Sequence, residues 1–341
     1  MKVETKVEAS EYGLLGSGRE RRGTLLRVTW SETVVGFADL HTWPELGHPS
    51  VDEVLRTQRG IFWDLALQAS RRDGEARARG ELLTSAASGA AGAARGVRQH
   101  RLWMSTWDLS VGRILQARRE GFAAVKLKID ATDLPGEARR LSALAGWWGD
   151  SLRLRLDLNS RAQADSLARF LAALPIRLRE LIDYIEDPFA FDARSWADFA
   201  KREAVLLAWD QPGGAGAGAG LSAGAGAEGE AGAAAAEAEA AAMGCVRIWK
   251  PLWELEPTAK WSRLVVTSSL GHPVGSLYAA AEAARVVPDE IHGCASHLVY
   301  QPTPGFEVNM RGDRLNFVGD GAGVGFGSSL ARLKWRDVAL V

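Results

Sequence analysis

Residues 125–128 read Val-Lys-Leu-Lys, residues 156–159 read Leu-Asp-Leu-Asn, and residues 185–188 read Ile-Glu-Asp-Pro. In each stretch charged residues follow or alternate with apolar ones. The charged residues Lys128, Asp157 and Glu186 are spaced at intervals of 29 residues. Short apolar runs are typical of buried parallel strands, and a period near 30 is expected when roughly 250 residues form eight strand–helix units. These stretches therefore predict consecutive strands of a (β/α) barrel.

The pattern continues along the chain, where residues 209–212 read Trp-Asp-Gln-Pro and residues 249–251 read Trp-Lys-Pro. Strand and helix patterns alternate between these points, which predicts an α/β fold, a modified (β/α)8 TIM-type barrel. The expected strands lie near residues 102–105, 124–129, 152–156, 181–185, 205–208, 246–249, 264–267 and 294–298. The expected helices cover residues 110–120, 136–146, 162–173, 193–202, 228–243 and 274–287.

The chain before the barrel predicts a separate N-terminal α+β domain over residues 1–97. The first residues alternate like a half-exposed strand, and residues 24–30 and 33–39 have the pattern of two more strands. Apolar residues at helical spacing predict one amphipathic helix over residues 51–71, with a second, weaker helix after it.

The barrel is expected over residues 98–300, and residues 301–341 are expected to return to the N-terminal domain. Within the barrel, residues 213–242 interrupt the repeat. Residues 213–226 are a Gly-Ala repeat too small-sided to pack, which predicts an exposed insertion, and the Ala- and Glu-rich residues after it predict a crossover helix.

The charge balance argues against several classes of partner. Among 341 residues, 41 Lys and Arg face 42 Asp and Glu, so no net field draws the chain to nucleic acid or to an anionic membrane. The N-terminus lacks the apolar core of a signal peptide and no apolar run is long enough to span a bilayer, which predicts a cytoplasmic protein. Cys245 and Cys294 lie in apolar, strand-like segments and are expected to be buried thiols. The oligomeric state stays open.

Alternation within the strands decides where the charged side chains point. Lys126 and Lys128 alternate with apolar residues, so one face of the strand is apolar and the other carries both amines. Because the apolar face must pack against helices, both amines are expected to point into the barrel mouth. Arg155 and Asp157 likewise share one side of the next strand. Arg155 is either an ion-pair partner of Asp157 or a group that holds a substrate carboxylate.

Three acids, Asp157, Glu186 and Asp210, follow three consecutive predicted strands. Carboxylates gathered at one edge repel one another unless a cation neutralises them. Ligand sets made only of oxygen favour Mg²⁺, which keeps positions open for water and substrate, and Mn²⁺ is a possible substitute. The sequence therefore predicts a metal site with a lysine base on either side.

The ordered series Lys126-x-Lys128, Asp157-x-Asn159, Glu186-Asp187-Pro188, Asp210 and Lys250-Pro251 resembles the active site of the enolase superfamily. Residues 153–159 and 267–271 are most similar to the o-succinylbenzoate synthases of its muconate-lactonizing subgroup, which act in menaquinone biosynthesis. The similarity covers nearly the whole chain, and the N-terminal region resembles the capping domain of the superfamily. Gln211 departs from the pattern, because the family usually has an acid directly after its third metal ligand.

This resemblance implies a Mg²⁺-dependent lyase that acts on a small-molecule carboxylate. The implied reaction converts 2-succinyl-6-hydroxy-2,4-cyclohexadiene-1-carboxylate to o-succinylbenzoate by removal of an α-proton and loss of water. Lys128 is implied as the general base, Lys126 as the group that tunes it, and Lys250 as a charge that stabilises the anion. The implied substrate-binding residues are Arg155, Asn159, Ser268, Ser269 and Gly271.

Two alternatives stay open. An N-acylamino acid racemase or a dipeptide epimerase would use the same metal and both lysines as opposed bases, although residues 293–301 lack an acid for the ammonium group of a dipeptide. A catalytically inactive metal-binding barrel is the non-enzymatic alternative, and the retention of the lysines argues against it. The glycine-rich residues 13–19 are either a surface turn or a loop over an anionic ligand. Three histidines beside apolar residues are expected to be structural: His272, His292 and His297.

Overall fold

The computed structural model describes residues 5–16, 20–84, 96–210, 227–317 and 321–339. The chain divides into two compact units. The N-terminal unit comprises Met1–Arg98, Trp249–Glu256 and Val266–Val341, and the barrel unit comprises Gln99–Ile248 and Pro257–Val265. Within the described residues, no helix has both the length and the apolar character needed to cross a membrane.

The N-terminal unit begins with an antiparallel sheet in the order β14–β1–β2–β3. Strands β1 and β2 pair along their whole length, and β3 lies against a helix at Gly36, where an added Cβ would overlap the carbonyl oxygen of Ser70. Only glycine therefore allows this close approach. The strands are β1 (Lys6–Leu15), β2 (Glu20–Thr29), β3 (Val35–Leu40) and β14 (Arg336–Asp337).

The prediction of one helix over residues 51–71 was wrong, because two helices form there, α1 (Val51–Thr57) and α2 (Ile61–Ala78). Gln58 has a φ of 51° and Gly60 has a φ of 88°, and left-handed residues end a helix. Ser50 starts α1 by accepting the N–H of Glu53 at 3.2 Å. The weaker helix expected afterwards falls partly on residues 85–95, outside the described residues.

The described residues of this unit also form a three-stranded sheet and two further α-helices. The sheet has the order β12–β13–β4, and α9 contacts both β3 and β4. The elements are β4 (Val97–Arg98), α9 (Pro273–Val286), β12 (Asn309–Arg311), β13 (Arg314–Asn316) and α10 (Gly327–Arg332).

The second large sheet has seven strands that follow chain order across the sheet, from β5 to β11, and the paired strands from β5 to β10 run parallel. Its strands are β5 (Arg101–Trp103), β6 (Ala124–Lys128), β7 (Arg153–Asp157), β8 (Ile182–Glu186), β9 (Leu207–Trp209), β10 (Val246–Trp249) and β11 (Arg263–Val266). The helices between them are α3 (Val111–Arg119), α4 (Leu134–Ala143), α5 (Ala164–Ala173), α6 (Ile176–Glu180), α7 (Ala193–Glu203) and α8 (Ala227–Ala242). Side-chain caps from Ser110, Asp133 and Asp192 begin α3, α4 and α7. The alternation of strands and helices matches the predicted barrel pattern.

The register of this sheet aligns the charged positions. Lys128 pairs with Asp157, and Asp157 pairs with Glu186, so the three residues form one row across β6, β7 and β8. The apolar neighbours Leu127 and Leu156 are fully buried. The parallel strands thus bring three side chains that are far apart in sequence to the same edge of the sheet.

The prediction of a last strand over residues 294–298 was wrong. A single bridge joins Thr267 to Gly293, and a 3-10 helix then covers Ser296–Val299. The carbonyl of Cys294 accepts the Ser268 hydroxyl at 3.0 Å, so a side chain occupies a group that a strand ladder would use. The insertion expected over residues 213–226 lies outside the described residues. Cys245 and Cys294 are buried thiols, as expected.

Candidate active site

Four residues of the barrel unit form what we call the strand-end charge cluster: Lys126, Lys128, Asp157 and Glu186. The Nζ of Lys126 lies 3.0 Å from Oδ2 of Asp157 and also donates to Oε1 of Glu186. The Nζ of Lys128 donates to the same Oδ2 of Asp157 at 2.6 Å. Both amines therefore leave one face of β6, as the alternation of its residues predicts, and they converge on one carboxylate.

The electrostatics of the cluster are dominated by these pairs. Burial disfavours the charged form of Lys126, but attraction by the neighbouring carboxylates, led by Asp157, outweighs it and raises the pKa of Lys126 well above its usual value. Burial alone would also raise the pKa of Asp157, yet the two ammonium groups lower it far below its usual value. Lys126 is thus a fixed cation and Asp157 a fixed anion.

The chain turns sharply after these strands. Asn159 has a φ of 49° and Asp187 has a φ of 41°, a region that Asn and Asp tolerate better than other side chains. The Oδ1 of Asn159 accepts the Nζ of Lys128 at 3.0 Å, and its backbone N–H donates to Oδ1 of Asp157 at 3.1 Å. Asn159 therefore orients both the lysine and the carboxylate.

Asp210 follows β9 and belongs to the same region, since its carboxylate contributes to the raised pKa of Lys126. Among the residues that the structure describes, no three acidic, histidine or cysteine side chains are gathered as closely as a metal ion requires. Instead the ammonium group of Lys126 bonds both Asp157 and Glu186. The donor chemistry nevertheless fits Mg²⁺, because the three acids follow successive strands and offer only oxygen ligands.

Arg155 is completely buried and its guanidinium group has partners in the interior. Its Nε donates to Asp183 at 2.8 Å, and its Nη1 lies 3.1 Å from Nδ1 of His100. Burial would raise the pKa of Asp183, but hydrogen bonds and attraction from Arg263 and Arg155 lower it. Sequence reasoning named neither Asp183 nor His100, although an acid inside an apolar strand is a signal that a buried cation lies nearby.

The N-terminal unit holds Lys250 beside an aromatic ring. The Nζ of Lys250 lies 5.5 Å from the ring centroid of Trp253, and its backbone N–H donates to Oε1 of Glu254 at 2.8 Å. The indole N–H of Trp253 donates to the carbonyl of His41 at 2.9 Å. This bond fixes the plane of the ring that faces the lysine.

The predicted substrate-binding residues after β11 lie on a tightly held segment of the N-terminal unit. Besides its bond to Cys294, the hydroxyl of Ser268 bonds that of Ser296, and the carbonyl of Ser269 accepts the indole N–H of Trp43 at 3.2 Å. An added Cβ at Gly271 would lie 2.5 Å from Oδ2 of Asp39. The segment therefore has little freedom to move or to accept larger side chains.

Beside this segment lies a buried group that we call the Tyr12 cluster: Tyr12, Asp39, His41 and His272. The carboxylate of Asp39 accepts the hydroxyl of Tyr12 at 2.5 Å and the backbone N–H of His272 at 2.9 Å. Burial raises the pKa of Asp39 to about 7 even though both hydrogen bonds favour its charged form. Burial also lowers the pKa of His41 to about 4 and that of His272 to about 3. Burial therefore favours the neutral form of all three groups.

Hydrogen bonds to the backbone support the structural role predicted for two of the three histidines, His272 and His292. The side chain of His272 accepts the N–H of Val274 and so caps α9. The Nδ1 of His292 accepts the N–H of Val266 at 3.0 Å, and its Nε2 donates to the carbonyl of Val287 at 2.9 Å. Both are structural groups.

Comparison with known proteins identifies two family regions. Residues 13–76 match the family described as the N-terminal domain of o-succinylbenzoate synthase, and residues 111–211 match the family described as enolase C-terminal domain-like. An o-succinylbenzoate synthase of Bdellovibrio bacteriovorus is 31% identical over 325 residues, which cover 92% of this chain and 91% of that protein.

Solved structures support the fold. A mandelate racemase/muconate lactonizing protein from Herpetosiphon aurantiacus has a TM-score of 0.74 at 13% identity, with 95% of this chain and 98% of that chain covered. A dipeptide epimerase from Enterococcus faecalis has a TM-score of 0.72 at 14% identity, with coverages of 95% and 99%. A muconate lactonizing enzyme from Pseudomonas putida has a TM-score of 0.72 at 16% identity, with coverages of 97% and 99%.

The solved structures show the fold, a modified TIM barrel with an N-terminal capping domain, and the family regions together with the Bdellovibrio relative give the class, which is the enolase superfamily. The match over almost the whole length of the Bdellovibrio protein then decides the branch. The chain belongs to the o-succinylbenzoate synthase family and is an enzyme of the lyase type.

Proposed function

We propose that the chain catalyses the Mg²⁺-dependent dehydration of 2-succinyl-6-hydroxy-2,4-cyclohexadiene-1-carboxylate to o-succinylbenzoate, as a cytoplasmic step of menaquinone biosynthesis. The observation that carries the proposal is the convergence of Lys126 and Lys128 on Asp157, in one register row with Glu186. The family relation supplies the substrate, and the cluster supplies the groups that its chemistry needs.

The proposed metal ligands are Asp157, Glu186 and Asp210. When bound, Mg²⁺ supplies the positive charge that stabilises the anion formed as the α-proton leaves, and Mn²⁺ would serve in its place. The two lysine ammonium groups already show that this edge of the sheet is built to balance several carboxylates with cations.

Lys128 is the proposed general base. Of the two lysine side chains it is the more accessible, with 24% exposure against 10% for Lys126, so a substrate can reach it. Its contacts with Asp157 and Asn159 hold the amine in place. Lys126, which stays charged, would contact the substrate carboxylate and tune Lys128.

Lys250 is proposed to stabilise charge and not to move a proton. The face of an indole ring favours a cation, and Trp253 presents that face to the ammonium group. A Lys250 that serves only to stabilise charge suits a reaction with one base, such as the dehydration. It suits racemisation less, because racemisation needs a second lysine that can give and take a proton.

The substrate is proposed to bind through Arg155, Asn159, Ser268, Ser269 and Gly271. Ser268 and Ser269 bring hydroxyl groups close to a rigid backbone turn, where Leu270 has a φ of 56°. Such a turn can present backbone N–H groups to a second carboxylate.

The test is an absorbance assay with the cyclohexadiene substrate and Mg²⁺, because the aromatic product absorbs differently. We expect turnover that EDTA stops and that added Mg²⁺ restores. Turnover that survives EDTA would refute the metal ligands. Deuterium exchange at the α-carbon of N-succinyl amino acids, without dehydration, would favour the racemase alternative, and no reaction with either substrate would favour a non-catalytic barrel.

A further inference from the structure

Asp210 is half-buried and lies in the sheet region of the barrel unit. Strand β9 is only three residues long, and Asp210 lies just beyond it. It is also the last described residue before residues 211–226. The position of its carboxylate therefore depends on what holds its backbone, and the structure shows charged side chains from both adjacent strands bonded to that backbone.

The first of these side chains is Asp187, which follows β8. Its Oδ1 accepts the backbone N–H of Asp210 at 3.1 Å, and its own N–H donates to the carbonyl of Ala208 at 2.9 Å. Asp187 is only 3% exposed and has the left-handed φ of 41° noted above. A buried carboxylate in a costly backbone conformation is retained only where the surrounding structure requires it.

The second side chain is Arg247, in the middle of β10 and 2% exposed. Its Nη1 donates to the carbonyl of Trp209 at 3.3 Å, to that of Asp210 at 3.5 Å, and to that of Ile248. The guanidinium carbon lies 4.8 Å from the ring centroid of Trp209 and 5.8 Å from that of Trp261. These two rings are stacked, with centroids 5.7 Å apart.

An apolar residue at position 247 would suit a buried strand, whereas a guanidinium group there costs several kcal/mol of desolvation unless its partners offset it. Two of its carbonyl partners, those of Trp209 and Asp210, lie at the end of β9, a third is that of Ile248 in β10, and two aromatic rings flank the guanidinium group. Arg247 thus links the backbone of β10 to the backbone that enters Asp210.

We propose that Asp187 and Arg247 are positioning residues that hold Asp210 by its N–H and its C=O from the two neighbouring strands, so that its carboxylate is ready for a divalent cation. This inference rests on the proposed function, in which Asp210 is the third metal ligand. Neither residue touches the metal or the substrate in this scheme. They act through the backbone, which makes Asp210 independent of whatever follows it in the chain.

The test uses the full chain, Mn²⁺ as the probe, and direct measurement of free Mn²⁺ by electron paramagnetic resonance. Asp187→Gly removes the acceptor but tolerates the positive φ, and Asp187→Asn keeps an acceptor of the same shape. Arg247→Met removes the donors at similar volume. Arg263→Met is the matched control, since Arg263 lies on β11 and bonds Asp183.

We expect Asp187→Gly and Arg247→Met to weaken Mn²⁺ binding about 10- to 100-fold. Asp187→Asn and Arg263→Met should stay within about 3-fold of the natural chain, a spread smaller than that of lost positioning groups. A second readout is hydrogen exchange of the Asp210 amide in metal-free protein, which should quicken at least about 10-fold in Asp187→Gly and not in Asp187→Asn.

Unchanged Mn²⁺ affinity in both Asp187→Gly and Arg247→Met would overturn the proposal while leaving the proposed function intact. An equal loss in Asp187→Gly and Asp187→Asn would also overturn it, because the acceptor would then be irrelevant. Failure of the natural chain to bind Mn²⁺ would overturn the metal site and this inference together. Should Arg247→Met not fold, the two Asp187 variants decide the matter alone.

Discussion

Asp157 in the strand-end charge cluster and Asp39 in the Tyr12 cluster are both carboxyl groups with almost no exposure, 1% and 2% respectively. Their pKa values move in opposite directions. Burial is the largest influence on each, but Asp157 meets two ammonium groups and Asp39 meets only neutral donors. Burial thus sets the cost of a charge, and the partner decides whether the charge survives.

The difference separates two uses of buried polar residues. In the strand-end charge cluster the side chains remain ionised and are proposed to take part in the reaction. In the Tyr12 cluster burial favours the neutral form of Asp39, and hydrogen bonds join three segments of the N-terminal unit. If this division is correct, substitutions in the first should change rates, and substitutions in the second should change stability.

The largest expected effect is on turnover in Lys128→Ala. Loss of a general base should lower kcat about 10²- to 10⁴-fold. The free energy of unfolding should change by less than about 1 kcal/mol, because the side chain is partly exposed. Steady-state kinetics and urea unfolding measure the two quantities, with the exposed Lys201→Ala as control. A near-normal kcat would show that Lys128 is not the general base, and it would contradict the expectation that substitutions in the strand-end charge cluster change rates.

The next effect is a pH dependence of stability carried by Asp39. Its pKa is raised from 3.8 to about 7 on folding, so its protonated form stabilises the fold fully below about pH 4 and this contribution is lost as pH rises toward 7. Relative to Asp39→Asn, the natural chain should gain about 1 kcal/mol per pH unit as pH falls through this window. Urea unfolding across the window measures the difference.

Stability must be compared between the natural chain and Asp39→Asn because two neighbouring histidines also make stability depend on pH. The lowered pKa values of His41 and His272 act in the opposite direction, since both groups cost stability as pH falls below 6.5. Both are present in the natural chain and in Asp39→Asn, so their contribution largely cancels in the comparison. A difference that is flat with pH would show that Asp39 is not held neutral and would remove the contrast with Asp157.

A smaller effect is expected in Tyr12→Phe. The substitution removes a hydroxyl group that donates to Asp39 and lies 3.0 Å from Nδ1 of His41. Loss of one buried hydrogen bond should lower the free energy of unfolding by about 1–2 kcal/mol, with kcat kept within a few-fold. Thermal or urea unfolding measures the change in stability, and the kinetic assay measures the change in kcat. A large fall in kcat at unchanged stability would mean that the Tyr12 cluster takes part in the reaction.

The smallest effect is expected at Trp253, which offers the ammonium group of Lys250 an aromatic face instead of a carboxylate. Trp253→Leu should lower kcat by about 3- to 10-fold, in line with about 1 kcal/mol for a partly exposed cation–π contact. Trp253→Phe, which keeps a ring, should lose less. Equal losses in both variants would mean that the bulk of the indole matters and its π face does not.

Much of the barrel could be predicted from sequence because its signals are local. The period of 29 residues placed β6, β7 and β8 within two residues of where they lie, and alternation alone put Lys126 and Lys128 on one face. The proposed metal site also follows from residue type, since the acids Asp157, Glu186 and Asp210 follow consecutive parallel strands, whose carboxyl ends lie at one edge of the sheet.

Most of the remainder depends on contacts between distant segments. The helix break after Thr57 has a local signal in Gly60, which lies within the helical pattern with a φ of 88°. The loss of the last strand instead follows from contacts of Cys294 and Ser296 with Ser268, which no local pattern gives. Arg155 was expected either to pair with Asp157 or to hold a substrate carboxylate, and the structure shows it paired with Asp183, which no local rule connects to it. The Tyr12 cluster likewise joins residues more than 200 positions apart.

Gly271 and Gly275 both pack against the carboxylate of Asp39, where an added Cβ would overlap it. Consequently, neither glycine can be replaced by a larger residue while Asp39 keeps its side chain, and Asp39 cannot be enlarged while both glycines remain packed against it. A scan that varies one site at a time would score all three as intolerant, while coordinated exchange, with position 39 shrunk as 271 grows, would open a route to reshaping the adjoining turn. Evolutionary drift in this corner should proceed by paired replacements, and directed evolution would do well to randomise the sites jointly.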